Sequence, residues 1–253
     1  MFLIALHLII RMRVANIQVV AGFERDDEIL LSAGKYLQKL SRELGVSMPK
    51  MSVPGSAPPE APRAIIPGST TLIQVGLNRA ELFAPPPDHI AGNFESAADF
   101  GLQAANRFLL ELMTVVRYAW VGAVSTINFP AKAIETLMKA ATPVSDRLVN
   151  VPRKDRELSH LNLQIGFKED PFHVTYSISG YEIRTGTISR PATRSIDVST
   201  VPVTETGIEI RLDINNKPQE AKRGLKTDLP GVFEMKKARF RTLKDDLNLE
   251  GIL

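Results

Sequence analysis

Residues 161–178 read LNLQIGFKEDPFHVTYSI, and this stretch decides the fold class. Leu161, Leu163, Ile165 and Phe167 alternate with polar or small residues, and Phe172, Val174, Tyr176 and Ile178 do so again. A period of two sets each group on one face of a strand. A turn over Lys168–Pro171 pairs Phe167 with Phe172, Ile165 with Val174, Leu163 with Tyr176 and Leu161 with Ile178. Apolar then meets apolar throughout, as a hairpin with one buried face requires. In that register His173 faces Gly166 and His160 faces Ser179.

The pattern extends in both directions. Gly207–Ile214 (GIEIRLDI) alternates as a half-buried antiparallel strand. Residues 186–206 between are irregular and rich in Thr and Ser. Upstream, Tyr118–Phe129 reads as a strand, and Pro130 stands where a helix can begin. Ile134, Leu137, Met138 and Ala141 supply that helix with an apolar face, and Pro143 lies near its end.

The first half has the same grammar. Val14–Phe23 is a β-branched strand, and a helix over Asp27–Leu44 carries its apolar stripe on Leu30, Ala33, Leu37, Leu40 and Leu44. Five prolines in residues 46–63 make an extended loop. A β stretch over Ala64–Phe83 switches parity near Asn78 and Arg79, where a turn or bulge fits. Phe94–Val116 is a long helix with small residues in its first half.

Both halves thus run strand, helix, strand, strand, helix, without a residue-level repeat. The expected class is α+β: a largely antiparallel sheet with packed helices, built on a duplicated β-α-β-β-α unit. The expected organisation is an apolar extension (1–13, with Met12 as an alternative start), a first half (14–116), a second half (117–216) and a basic, helical C-terminal tail (217–253).

Composition bounds the function. Of 253 residues, 44% are hydrophobic and 23% charged, which argues against wholesale disorder. The chain has no cysteine, so disulfides, thiolate metal sites and thiol nucleophiles are excluded. This fits a cytoplasmic protein. The opening MFLIALHLII is too short to span a bilayer and has its arginines after the apolar run, unlike a secretory signal. No integral membrane span is expected.

The stretches NIQVVAGF (16–23), LIQVGLNRAELF (72–83) and VVRYAWVGAVSTINFP (115–130) resemble a sporadically distributed bacterial family of about this length whose function is unassigned. The likeness covers most of residues 14–185. It implies the fold and brings no catalytic residues, and the C-terminal tail departs from it.

The net charge of +3 resides in residues 217–253, where nine basic groups meet six acidic ones. Lys222, Arg223, Lys226, Lys236, Lys237, Arg239, Arg241 and Lys244 form a candidate phosphate-binding cluster, with Arg153, Lys154 and Arg156 as a second basic run. Phe240 lies among these charges; it can stack on a base, or pack with Phe233, Leu243 and Leu247 on one helix face. No phosphate loop, GxGxxG, GxSxG or HExxH is present, and no cofactor is implied. His160, His173, Glu169 and Asp170 around the hairpin are the candidate catalytic groups. Solvent-facing histidines on a sheet and ordinary turn carboxylates are the leading explanation of these groups.

Three readings follow. The leading one is a non-catalytic interaction or structural subunit of a bacterial assembly, with a protein partner or a homo-oligomer. The alternatives are a nucleic-acid-binding module using the basic tail, and an enzyme with its site near the 160–173 hairpin.

Overall fold

Alternating apolar residues force the strands to bury one face, and amphipathic helices supply the cover. The structure, a computed structural model, describes residues 12–46, 56–116, 118–131, 137–149, 158, 160–186, 201–217, 228–250 and 252–253. In chain order the first half comprises β1 (Arg13–Phe23), α1 (Ile29–Ser32), α2 (Gly34–Glu43), β2 (Ala64–Pro67), β3 (Leu72–Val75), β4 (Arg79–Ala84), α3 (Asp88–Ala91) and α4 (Phe94–Val115). The second comprises β5 (Tyr118–Pro130), α5 (Leu137–Leu148), β6 (Asn162–Glu169), β7 (Phe172–Arg184), β8 (Val203–Asn215), α6 (Leu229–Arg241) and α7 (Leu243–Asp246).

All eight strands join one sheet in the order β2-β3-β4-β1-β5-β8-β7-β6, with every neighbouring pair antiparallel. The order reads the same from either edge when β1 is matched to β5, β4 to β8, β3 to β7 and β2 to β6. Each half is therefore β-α-β-β-β-α, one strand more than the sequence unit, and β1 and β5 pair at the centre.

The helices lie on one face. α4 packs on β1 and β4, α5 on β7 and β8, and α6 on β5, β8 and α4. The core between holds Ile17, Val19, Leu82, Ala123, Ile127, Val174, Tyr176, Ile178, Ile210, Leu212 and Ile214, all essentially inaccessible. Local chemistry starts the two main helices. Asn93 Oδ1 accepts from the Ser96 amide at 3.0 Å ahead of α4, and Asp228 Oδ1 accepts from the Gly231 amide at 2.9 Å ahead of α6.

Several expectations are corrected. The hairpin exists, but its register is displaced by two residues. Glu169 pairs with Phe172, Phe167 with Val174, Ile165 with Tyr176 and Leu163 with Ile178, around a two-residue turn at Asp170–Pro171. His173 accordingly faces Lys168 rather than Gly166, and Ser179 faces Asn162 rather than His160. A shift of two keeps every side chain on its face, so the apolar pattern cannot distinguish the two registers; the turn does.

The stretch 64–83 is three strands, because the chain reverses at 68–71 as well as at 76–78. The helix over 27–44 is divided into α1 and α2 at Ala33. Pro130 ends β5 instead of opening a helix, and Pro143 lies inside α5. Strand β8 starts at Val203, within the stretch read as irregular. The apolar opening to residue 11 lies outside the described residues.

Small residues in α4 serve close packing. A Cβ on Gly101 would stand 2.7 Å from Ile17 Cγ2, below van der Waals contact. Gly101→Ala is expected to push α4 off β1 and cost roughly 1–3 kcal/mol, read as a lower denaturant midpoint with unchanged slope.

Candidate interaction surface

The residues singled out for chemistry fall in three places. Lys222, Arg223 and Lys226 lie outside the described residues, as do Arg153, Lys154 and Arg156. The other candidate basic residues, Lys236, Lys237, Arg239, Arg241 and Lys244, lie on α6 or α7, and each has a partner. Lys237 Nζ sits 2.6 Å from Asp99 on α4 and 3.1 Å from Glu234. Arg239 reaches Glu169 at 2.6 Å and Asp246 at 3.7 Å. Arg241 meets Glu95 at 2.6 Å, and Lys244 donates to the Leu253 carbonyl. Phe240 stacks on Phe94 with ring centroids 3.9 Å apart and planes 6° apart, so its described face is already engaged by protein.

Lys236 is different in kind. It has no accessible surface, and its Nζ donates to the Leu212 carbonyl at 2.8 Å. Burial pushes its ammonium down to about 7, against the pull of Asp213. It occupies the position between Phe233 and Phe240 in the α6 stripe that begins at Leu229 and Val232, and that spacing is the sequence signal of its burial. The Ser125 hydroxyl, opposite Leu212 in the next strand, is also buried and makes no hydrogen bond among the described residues.

Of the hairpin groups, the structure brings Glu169 to Arg239 and leaves the histidines at opposite ends of β6. His160 precedes that strand and is exposed, while His173 pairs with Lys168 and Asn215. Asp170 is exposed in the turn. Among the described residues, no cluster of three or more His, Asp or Glu could hold a metal ion.

The largest feature is one the sequence reading did not single out: the second face of the sheet. No helix contact described above lies on it. Strand parity places on this face Gln18 and Val20 from β1, Glu81 and Phe83 from β4, Trp120, Val124 and Thr126 from β5, Arg211 and Asp213 from β8, and Thr175 and Ser177 from β7. It is more apolar on the first-half side, where Phe83, Val20, Val124 and Trp120 are half-buried, and polar on the second-half side. Glu81 is held by Gln18 at 3.0 Å and Arg79 at 2.5 Å, which satisfies the carboxylate where the face is least accessible.

Trp120 marks one end of this face. It pairs with Gly22 of β1, where a Cβ would come within 2.0 Å of its Nε1. The indole therefore fills the space a side chain at position 22 would need. Lys217 Nζ stands 5.2 Å from the ring centroid on the same indole, a cation–π contact. A separate groove of about 940 Å³ opens beside the Phe94–Phe240 stack, with Met12, Phe129, Arg241 and Leu253 among its walls.

Fold and surface together define a pseudo-symmetric α+β protein whose antiparallel sheet, among the described residues, carries its helices on one face. The chain matches no protein-family model and no curated protein. Among the described residues, no helix is long and apolar enough to cross a membrane.

Two outcomes test this description. An unfolded lysine titrates near 10.4, so between about 7 and 10 the unfolded chain binds more protons than the folded one. Stability is therefore expected to rise with pH across that window, and the penalty of Lys236 is complete below it. Lys236→Met should stabilise the fold, by roughly 1–4 kcal/mol at pH 6.5, with the gain shrinking by pH 9.5 in denaturant titrations. Gly22→Ala should lift the indole from β1 and shift the emission of Trp120, the only tryptophan, to longer wavelength.

Proposed function

We propose that this protein is a non-catalytic interaction protein, a subunit of a bacterial cytoplasmic assembly, whose open sheet face receives a protein partner. The observation that carries this reading is the one-sidedness of the sheet. Eight strands contribute to a face without a helical cover among the described residues, and its middle mixes half-buried apolar side chains with polar ones. A mixed surface of this kind is what a non-obligate protein interface presents. The resemblance to an unassigned bacterial family supports the bacterial setting and adds no chemistry.

The described part of the basic tail weighs against a nucleic-acid module. Lys237, Arg239 and Arg241 are engaged by carboxylates and Lys236 is enclosed, so a phosphate would first have to displace those partners.

Purification at low salt from the producing cells, followed by size exclusion with light scattering and the 260/280 absorbance ratio, tests the reading. The expected result is a protein-only peak containing a second polypeptide. Val124→Arg, in the middle of the open face, should release that polypeptide without lowering the melting temperature. A nucleic-acid peak stripped by salt, elution without any second polypeptide, or a partner that Val124→Arg retains would overturn it.

A further inference from the structure

The sheet ends on two strands that the topology makes equivalent, and the sequence treats them differently. Strand β2 is four residues long and contains Pro67, a short and proline-blunted edge. Strand β6 is eight residues long, has no proline and carries exposed or half-exposed residues throughout. Its helix-side row is Leu163, Ile165 and Phe167. Leu163 and Ile165 are only partly buried, and Phe167 is 42% exposed, one of three large exposed hydrophobics among the described residues. α5 covers β7 and β8 rather than this row.

The edge of β6 that no described strand pairs has a definite hydrogen-bonding parity. Glu169 and Phe172 flank a two-residue turn, so odd-numbered residues of β6 exchange bonds with β7. The N–H and C=O groups of Asn162, Gln164, Gly166 and Lys168 therefore aim outward. We infer that β6 pairs antiparallel with β6 of a second copy about a two-fold axis at Ile165, extending one sheet through both molecules.

This register is self-complementary. Ile165 meets Ile165 of the second copy, and Leu163 meets its Phe167, so the partly exposed apolar row buries further against itself. Gln164 meets Gly166 and Asn162 meets Lys168 on the open face. The pairing ends at Asn162 opposite Lys168, inside the bounds of β6. The axis runs perpendicular to the sheet, so the helices of both copies stay on one side. An isologous contact of this kind closes as a dimer and leaves only the blunted β2 edges outside. This surface is distinct from the open face, and either can fail alone.

The absence of native cysteine makes the register directly testable. Ile165→Cys should cross-link to itself under mild oxidation, because the residues on the axis form a close, non-hydrogen-bonded pair. Leu163→Cys alone should not, whereas Leu163→Cys mixed with Phe167→Cys should. Gly166→Pro removes an outward amide at an edge position that tolerates proline in the monomer. It should weaken self-association about ten-fold or more in sedimentation equilibrium, with the melting temperature retained at low concentration. A wild-type monomer at all concentrations, a dimer indifferent to Gly166→Pro, or equal self-cross-linking of Leu163→Cys overturns the pairing. A monomer that still co-elutes with a second polypeptide overturns the dimer and leaves the open-face reading standing.

Discussion

The antiparallel pairing of β1 with β5 is the interaction on which everything else rests. It runs from Arg13 opposite Asn128 to Phe23 opposite Tyr118, the full length of β1. Without it each half would be a four-stranded sheet with β1 or β5 at an open edge. With it the two edges satisfy one another, and Ile17, Val19, Ala123 and Ile127 become the middle of a single core. The helices follow from this choice. α4 must lie over the seam from one half and α6 from the other, and the two helices touch there. Lys237–Asp99 and Arg241–Glu95 join them across the surface, and Phe94 on Phe240 joins them in the gap between.

Much of this was legible in the sequence. Alternation identified which residues of β6, β7 and β8 face the core, and helical spacing located α4 and α6. What escaped depends on information that periodicity does not hold. The hairpin register was displaced by two because Phe167 satisfies an apolar neighbour at either Phe172 or Val174. The reversal at 68–71 adds a fourth strand to the first half; Pro67–Gly68 is a turn pair that could have marked it, but the apolar alternation within 64–83 changes parity only near Asn78 and Arg79. The division at Ala33 was hidden because Ala33 itself belongs to the apolar stripe.

The candidate site was less legible than the fold. Charge counting treats every lysine alike, and so placed Lys236 in a surface cluster. Its helical position, in step with Val232, Phe233 and Phe240, was the better guide. The open face left no motif at all, because a polar alternation reads as ordinary solvent exposure whether or not a partner covers it. Trp120 could have been noticed as the only indole, but its seat on Gly22 is a contact across 98 residues that only the strand pairing reveals.

The central seam also has a consequence for synthesis on the ribosome. Val19 pairs with Ala123, 104 residues further on, and β5 occupies that side of β1. While the intervening hundred residues are made, β1 has β4 on one flank and nothing on the other. The nascent first half thus emerges with one edge of β1 unpaired, during a delay of several seconds at bacterial or eukaryotic elongation speeds of about 5–20 residues per second. A holding chaperone, or the ribosome surface itself, has a defined strip to shield until β5 arrives.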